Sequence, residues 1–453
     1  MTPQTRQINS RLEPLLDDWL IDTMQGTCLL LHHPVPQEVS LHTNRPWEGN
    51  TCCYVTVFED GGLYRMYYRG SDYDWATDTH THQVICYAQS QDGITWHRPE
   101  LGIWDFNGSK ANNIVWRGPG EHNFSPFLDT NPNADPQARY KAIGGDEKGL
   151  VIFGSPDAIH WSLLQEEPVI TEGLFDSQNL AFYDELRGEY VEYHRHFRNG
   201  VRDIMVGRSR DFSHWTEPEW VDFGDAPAED LYTNATVPYF RAPHIYLGFP
   251  KRFLPQRHKV ARHRFPGVSD GVLMSSRDGL HFRRWTEGFL RPGPQENRWW
   301  ERNNMIAWGL VSTKSALPGA PDEISIYATE GHYEDVFLRR FTLRQDGFVS
   351  LHADYSGGEM LTLPLQFEGD RLVLNYATSA AGSVRVEVQD PAGNAVAGFE
   401  LDRCPEIYGD EIGGVVRWEG DPELGALAGK PVRLRFVLKD ADVYSLRFAP
   451  EEG

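Results

Sequence analysis

Ser90-Gln91-Asp92-Gly93-Ile94-Thr95-Trp96 is the stretch on which the fold turns, because it recurs. It returns as Ser155-Pro156-Asp157-Ala158-Ile159-His160-Trp161, as Ser209-Arg210-Asp211-Phe212-Ser213-His214-Trp215, and as Ser276-Arg277-Asp278-Gly279-Leu280-His281-Phe282. A weaker copy follows at Leu343-Arg344-Gln345-Asp346-Gly347-Phe348-Val349. The pattern is S-x-D-x-x-x-aromatic. Asp bonds its own backbone and Gly tolerates positive φ, so each copy reads as a hairpin corner. The closing aromatic starts the next strand and packs beneath the sheet. The motif is therefore scaffold, not catalysis.

Alternating, strand-like runs precede the corners: Gln83-Val84-Ile85-Cys86-Tyr87-Ala88, Gly149-Leu150-Val151-Ile152-Phe153 and Asp203-Ile204-Met205-Val206-Gly207. No long segment shows a capped 3.6-residue period. Internal repeats of 54–68 residues, each about four strands, read as propeller blades. After about residue 353 the texture changes to strict alternation, as in Arg371–Tyr376, Ser383–Val388, Val432–Leu438 and Tyr444–Phe448. That pattern, broken by turns such as Asp390-Pro391-Ala392-Gly393, predicts an antiparallel sandwich. The expected fold is thus all-β: a five-bladed β-propeller over 41–353, followed by a C-terminal β-sandwich over 354–453. Residues 1–40 form an N-terminal segment packing on the propeller.

Composition sets the outer limits. The chain has 453 residues, 40% hydrophobic and 24% charged, which is ordinary for a globular protein. Its 43 Lys and Arg against 65 Asp and Glu give a net charge of −22, which opposes nucleic acid and anionic membrane. Five scattered cysteines do not make a disulfide framework, and the adjacent Cys52-Cys53 pair lacks zinc-ligand spacing. The N-terminus shows no signal peptide and no stretch is long and apolar enough to span a membrane, so a cytoplasmic location is expected. Aromatics reach 12%, which suits both β-sheet packing and stacking on sugar rings.

Polar residues recur at equivalent places after the corners. The segments are Trp47-Glu48; His122-Asn123 with Asp129; Phe175-Asp176-Ser177-Gln178-Asn179; Glu229-Asp230-Leu231-Tyr232-Thr233-Asn234; and Trp300-Glu301-Arg302-Asn303-Asn304. A ring of carboxylates around one funnel is what glycoside hydrolysis needs: one protonated acid for the leaving oxygen, one ionised partner to attack or activate water. Carboxamides, Arg and aromatic rings would bind the sugar. Two basic clusters, His194-Arg195-His196-Phe197-Arg198 and Lys251-Arg252 through Arg264, offer a subsite for uronate, sulfate or phosphate.

The five-blade period, the order of acids and the trailing sandwich resemble the furanosidase-type propeller hydrolases of the invertase/levanase and arabinanase/xylosidase families. By that resemblance Glu48 and Asp176 take the base or nucleophile and charge-tuning roles, and Glu229 donates the proton. The resemblance also implies room for calcium in the central channel, although no D-x-D-x-D-G loop is present. Arg45-Pro46-Trp47-Glu48-Gly49-Asn50 stands where invertases carry W-x-N-D-P-x-G. Substrate contacts are expected from Trp47, Asn123, Asp129, Gln178, Asn179, Arg195, Asp230, Tyr232, Asn234, Arg252, Glu301, Arg302 and Asn303, with no metal ligands. The expected activity is that of a glycoside hydrolase or transglycosidase acting on an oligosaccharide. The alternatives are a glycoside phosphorylase using a His/Arg anion site, or a non-catalytic carbohydrate-binding propeller. A homo-oligomer is compatible with the sequence.

Overall fold

The computed structural model describes residues 5–450. The chain forms two compact units. One holds Pro34–Thr342, and the other joins the residues up to His33 with those from Leu343 onward.

Five main antiparallel sheets and one small one make the larger unit, and each is open. The first orders Cys53–Asp60, Leu63–Asp74, Thr79–Ser90 and Ile114–Trp116. The second orders Ser125–Leu128, Tyr140–Asp146, Gly149–Ser155 and Ser162–Leu163, and the third Leu180–Asp184, Glu189–Arg198, Val201–Ser209 and Glu219–Trp220. The fourth is Val237–Tyr239, Ala242–Gly248, Met274–Ser276 and Phe282–Arg284, beside a small sheet of Asp230–Leu231, Lys251–Leu254 and Val268–Gly271. The fifth joins Met305–Ile306, Glu323–Glu330, Phe337–Arg344 and Val35–His42, with Val311–Thr313 alongside.

The repeated heptapeptide builds one hydrogen-bond pattern four times. In the first copy the Ser90 hydroxyl accepts from the Gly93 amide at 2.9 Å and donates to Asp92 at 2.8 Å. The Asp92 carboxylate accepts from the amides of Ile94 and Thr95, both at 2.8 Å. Ser155, Ser209 and Ser276 repeat this around Ala158, Phe212 and Gly279. The fourth residue is left-handed in every copy, with φ of 69° at Gly93 and Ala158, 70° at Phe212 and 79° at Gly279. Tyrosines of other sheets then cap three corners. The Tyr67 hydroxyl donates to the Ala158 carbonyl at 2.7 Å, Tyr193 to Gly279 at 2.6 Å, and Tyr327 to Gly93.

Sheets in this unit are buried on both faces. In the strand Leu63–Asp74, Met66 and Tyr68 pack with Ala307 and Tyr327 of the fifth sheet. Tyr67, pointing the other way, packs with Phe124, Phe153 and Trp161 of the second. Alternation that buries both faces explains why these strands read as near-continuous apolar runs.

The five-bladed β-propeller expected from the repeat, and the likeness to invertase/levanase and arabinanase/xylosidase hydrolases that rested on it, are corrected here. All-β content holds, but the strands lie in separate open sheets and none closes on itself among the described residues. The physical reason is that the Ser–Asp motif specifies a local turn. It fixes a hairpin and says nothing of how successive sheets are arranged.

In the smaller unit, expected as a C-terminal β-sandwich, the strand bounds differ from the reading. The smaller unit is one eight-stranded sheet with a two-stranded parallel addition, Arg6–Asn9 against Leu365–Phe367. Runs that read as four separate strands are halves of two long ones, Arg371–Gln389 and Arg433–Ala449, paired along their length. Register breaks between Thr378 and Ser383, which gave the break in alternation the look of a turn. Ile21–Gln25 and Thr27–Leu31 pair with Gly358–Thr362 and Val349–Ala353. The core alternates along the long strands through Leu372, Leu374, Val384, Val386, Leu434 and Phe436.

No helix among the described residues is long and apolar enough to cross a membrane. That leaves the expected cytoplasmic location without support from the structure.

Candidate functional site

Loops and strands of the first, second, third and fifth sheets and of the small sheet bring polar groups around two tyrosines. The Tyr54 hydroxyl meets the Tyr232 hydroxyl at 2.7 Å and donates to the Asp176 carbonyl at 3.0 Å. Tyr54 is left-handed, with φ 53°, and the register slips between Cys53 and Thr56, so this strand end turns its ring off the sheet. Arg302 (φ 63°) and Tyr333 (φ 72°) are also left-handed. Such conformations in bulky residues cost free energy, and they gather where a site must be held in one shape.

Cations surround the tyrosine pair. The Arg69 guanidinium lies 4.9 Å from the Tyr54 ring centre, Arg195 5.2 Å and Lys251 Nζ 4.3 Å from that of Tyr232, and Arg302 5.7 Å from that of Tyr333. Arg69 also reaches the His122 ring, at 3.2 Å, and the Thr51 carbonyl. Arg195 pairs with the Asp176 carboxylate, whose side chain is 72% exposed. Lys251 and Arg302 make no hydrogen bond or ion pair with their side chains among the described residues. Their neighbours feel it. Burial and then the charges of Arg69 and Arg302 bring His80 down to about 4 and His122 to about 3. His332, fully buried, is held well below its usual range by burial, then by Arg302, Arg69 and Lys251. Burial and then Arg302 lower Lys251 to about 7, with Glu301 opposing. Glu301 is the second carboxylate here, beside the Tyr333 hydroxyl, whose ionisation burial and Glu301 both oppose.

Of the residues expected from the sequence, the structure brings together Asp176, Arg195, Tyr232, Glu301 and Arg302. Glu48 lies elsewhere and is fully buried, accepting from Arg98 at 2.7 Å, Tyr68 at 2.6 Å and the Arg45 amide at 2.9 Å. Glu229 is held by Arg252 at 3.1 Å and by Arg284. Arg252 is also paired with Asp270, and Asp230 with Arg202. Asp129 is buried against Lys141 and the Tyr190 hydroxyl. Trp47 donates to Asn113 at 2.6 Å.

The expected carboxamides are buried clamps on the loop backbones. Asn179 donates to the carbonyls of Phe175 and Ser177, both at 3.0 Å, and Asn123 holds the Gly145 amide. Gln178 donates to the Val55 carbonyl, Asn303 accepts from the His332 amide, and Asn234 accepts from the Thr236 amide. They hold the loops that carry Asp176 and Arg302, which is why polar residues recur at equivalent places.

Arg69, His80, His122, Lys251, His332 and the left-handed Tyr54 and Tyr333 join the site without having been singled out as site residues in the sequence. Arg69 left a trace: an arginine directly after the apolar run Met66-Tyr67-Tyr68, opposite Cys53 and Ile85 with no carboxylate to neutralise it. The two basic clusters divide. Arg195 and Lys251 face the pocket, whereas Arg198 pairs with Asp203, Arg262 with Glu296 and Glu334, and Arg264 with Asp78.

Calcium does not fit beside the tyrosine pair, because four cationic side chains with two carboxylates would repel it. Among the described residues no group of three or more His, Cys, Asp or Glu is placed to hold a metal ion. A cavity of about 640 Å³, lined by Phe127, Phe182, Phe240 and Trp308 among others, shares no residue with the cluster around the tyrosine pair and is mainly apolar.

No family model matches the chain. Two curated proteins of Mycobacterium tuberculosis, the uncharacterized proteins MT1551 and Rv1502, are each 47% identical over 58 residues, which is 12% of this chain. The match spans only 19% of those relatives' own length. Among solved structures, a BT0996 RGII complex aligns with a TM-score of 0.46 and 11% identity, over 69% of this chain and 92% of that one. The catalytic domain of a Coprinopsis cinerea GH62 alpha-L-arabinofuranosidase gives 0.43 and 11%, over 69% and 97%. An N-acetylgalactosamine deacetylase from F. plautii in complex with blood group B trisaccharide gives 0.41 and 12%, over 75% and 94%. Likenesses this distant carry no argument about the chemistry of this chain.

Proposed function

We propose that the protein is a carbohydrate-active enzyme that cleaves a glycosidic bond of an oligosaccharide in the pocket around Tyr54 and Tyr232. The observation that supports this reading is the pairing of two carboxylates, Asp176 and Glu301, with aromatic faces and side-chain donors in one place. Glycoside cleavage needs one carboxyl to protonate the leaving oxygen and another to activate water or attack. Asp176 is open to solvent and oriented by Arg195, which suits the second role. Glu301, beside Tyr333 and Lys251, is the second carboxyl of the pair. The half-buried ring of Tyr232 offers a stacking surface, as sugar sites require.

The test is turnover of a panel of aryl glycosides and oligosaccharides by Asp176→Asn, Glu301→Gln, Glu48→Gln and Glu229→Gln. Asp176→Asn and Glu301→Gln are expected to lose about 100-fold or more in kcat, at an unchanged melting temperature. Full activity in both would overturn the assignment. Loss confined to Glu48→Gln and Glu229→Gln, in folded protein, would return the chemistry to those acids.

A further inference from the structure

We propose that Lys251, Arg302, Arg69 and His332 form a subsite for an oxyanion, the charged group of a phosphate, sulfate or uronate, next to the tyrosine pair. The inference rests on reading this pocket as the functional one and names what it recognises.

Three observations meet here. First, buried cations are almost always paired, because an unpaired charge out of water is costly. Lys251 is 2% exposed and Arg69 1%, yet neither touches a carboxylate. Asp176 is bound to Arg195 and Asp230 to Arg202, which leaves Glu301 facing Lys251 and Arg302, so positive charge is left over. Second, hydrogen-bonding capacity is left over. Both ring nitrogens of the fully buried His332, and the Arg69 Nε, have no partner. Buried polar atoms of native proteins are normally satisfied, and exceptions mark a missing partner. Third, the backbone is left-handed at Tyr54, Arg302 and Tyr333, so the walls are fixed rather than adaptable. An oxyanion answers the first two at once, since it supplies the negative charge and several acceptors.

Burial holds His332 neutral and brings Lys251 to about 7, and an anion beside them would restore their protons. Binding should therefore take up protons near neutral pH. Two sources of the oxyanion share this chemistry: free inorganic phosphate as co-substrate, or a charged group on the sugar itself.

The experiment is titration calorimetry of the full chain with inorganic phosphate, with sulfate, and with a uronic acid, a sulfated sugar and a sugar phosphate. It is run in two buffers of different ionisation enthalpy, on wild type and on Lys251→Met, Lys251→Arg, Arg302→Gln and Asp176→Asn. The expected result is binding with proton uptake that weakens about tenfold or more in Lys251→Met and Arg302→Gln. Lys251→Arg should retain it, and Asp176→Asn should bind at least as tightly because it frees Arg195. Binding of free phosphate places the anion on a co-substrate. Binding of the charged sugars alone places it on the sugar. No binding of any probe, or binding that ignores both Lys251→Met and Arg302→Gln in folded protein, overturns the proposal. Direct binding does not depend on turnover, so loss of the glycosidase reading and loss of this one are told apart.

Discussion

The hydroxyls of Tyr54 and Tyr232 meet at 2.7 Å, and the Tyr54 hydroxyl also holds the Asp176 carbonyl at 3.0 Å. Burial, and then the neighbouring Tyr232, push Tyr54 well above its ordinary range, so its phenol stays neutral among the cations. One phenol thus ties the loop bearing Asp176 to a strand end of a different sheet. Tyr54→Phe should cost about 1 kcal/mol of stability. It should also lower kcat/KM by loosening Asp176, which denaturation and steady-state kinetics will read separately.

Glu48 is a stability residue by its contacts. Its carboxylate is fully buried and neutralised by Arg98 at 2.7 Å, with Tyr68 and the Arg45 amide completing its hydrogen bonds. Removing one partner of a buried pair strands the other. Glu48→Gln should therefore destabilise the fold by about 3 kcal/mol. Chemical denaturation is the measurement, with turnover per folded molecule expected to stay near wild type.

Lys251 should leave a signature in the pH dependence of stability. Burial first, then Arg302 and Arg202, lower it to about 7, while Glu301 and Cys53 work the other way. The unfolded chain keeps its proton up to the ordinary lysine value. Between about 7 and 10 the unfolded state therefore binds more protons, and this group makes stability rise with pH. Wild type minus Lys251→Met should show that slope in urea melts from pH 6.5 to 10, and a flat difference would contradict the burial of an unpaired ammonium.

The corners predict an acid limb. Asp157 and Asp278 are brought to about 2, against some burial cost, by amide hydrogen bonds and by the histidine three residues on. Their stabilisation is present above the unfolded aspartate value and is lost as pH falls toward 2. Asp157→Asn and Asp278→Asn should each flatten the fall in melting temperature between pH 4 and 2.

Ser209 tests the corner more directly. Its hydroxyl accepts from the amides of Phe212, at 2.9 Å, and Asp211, at 3.2 Å, where a phenylalanine is held left-handed. Ser209→Ala should cost about 1 kcal/mol or more. The same change at Ser276 should cost less, because Gly279 adopts that φ without strain.

The repeat made the corners and the all-β content legible, because Ser, Asp and their spacing write the turn directly. Arrangement beyond the hairpin was not written there. Nor was the continuity of Arg371–Gln389, since a register break at Thr378–Ser383 looks like a turn in one dimension. The site was half legible. Asp176 and Arg302 stand in segments whose polar composition repeats, but so do Asn179 and Asn303, which serve the backbone. Carboxylates draw attention as catalytic groups, yet Glu48 and Glu229 are consumed by Arg98, Arg252 and Arg284. The excess of cations showed only once distant strands were side by side.

Because Tyr67 and Tyr68 serve opposite neighbours, a substitution in the middle of such a strand must satisfy two cores at once. Sequence drift there is constrained from either side. In the connecting segments 175–179 and 300–304, Asp176, Glu301 and Arg302 reach the surface while the residues around them are buried. New specificities would come from exchanging those three positions on a backbone that their buried neighbours hold in place.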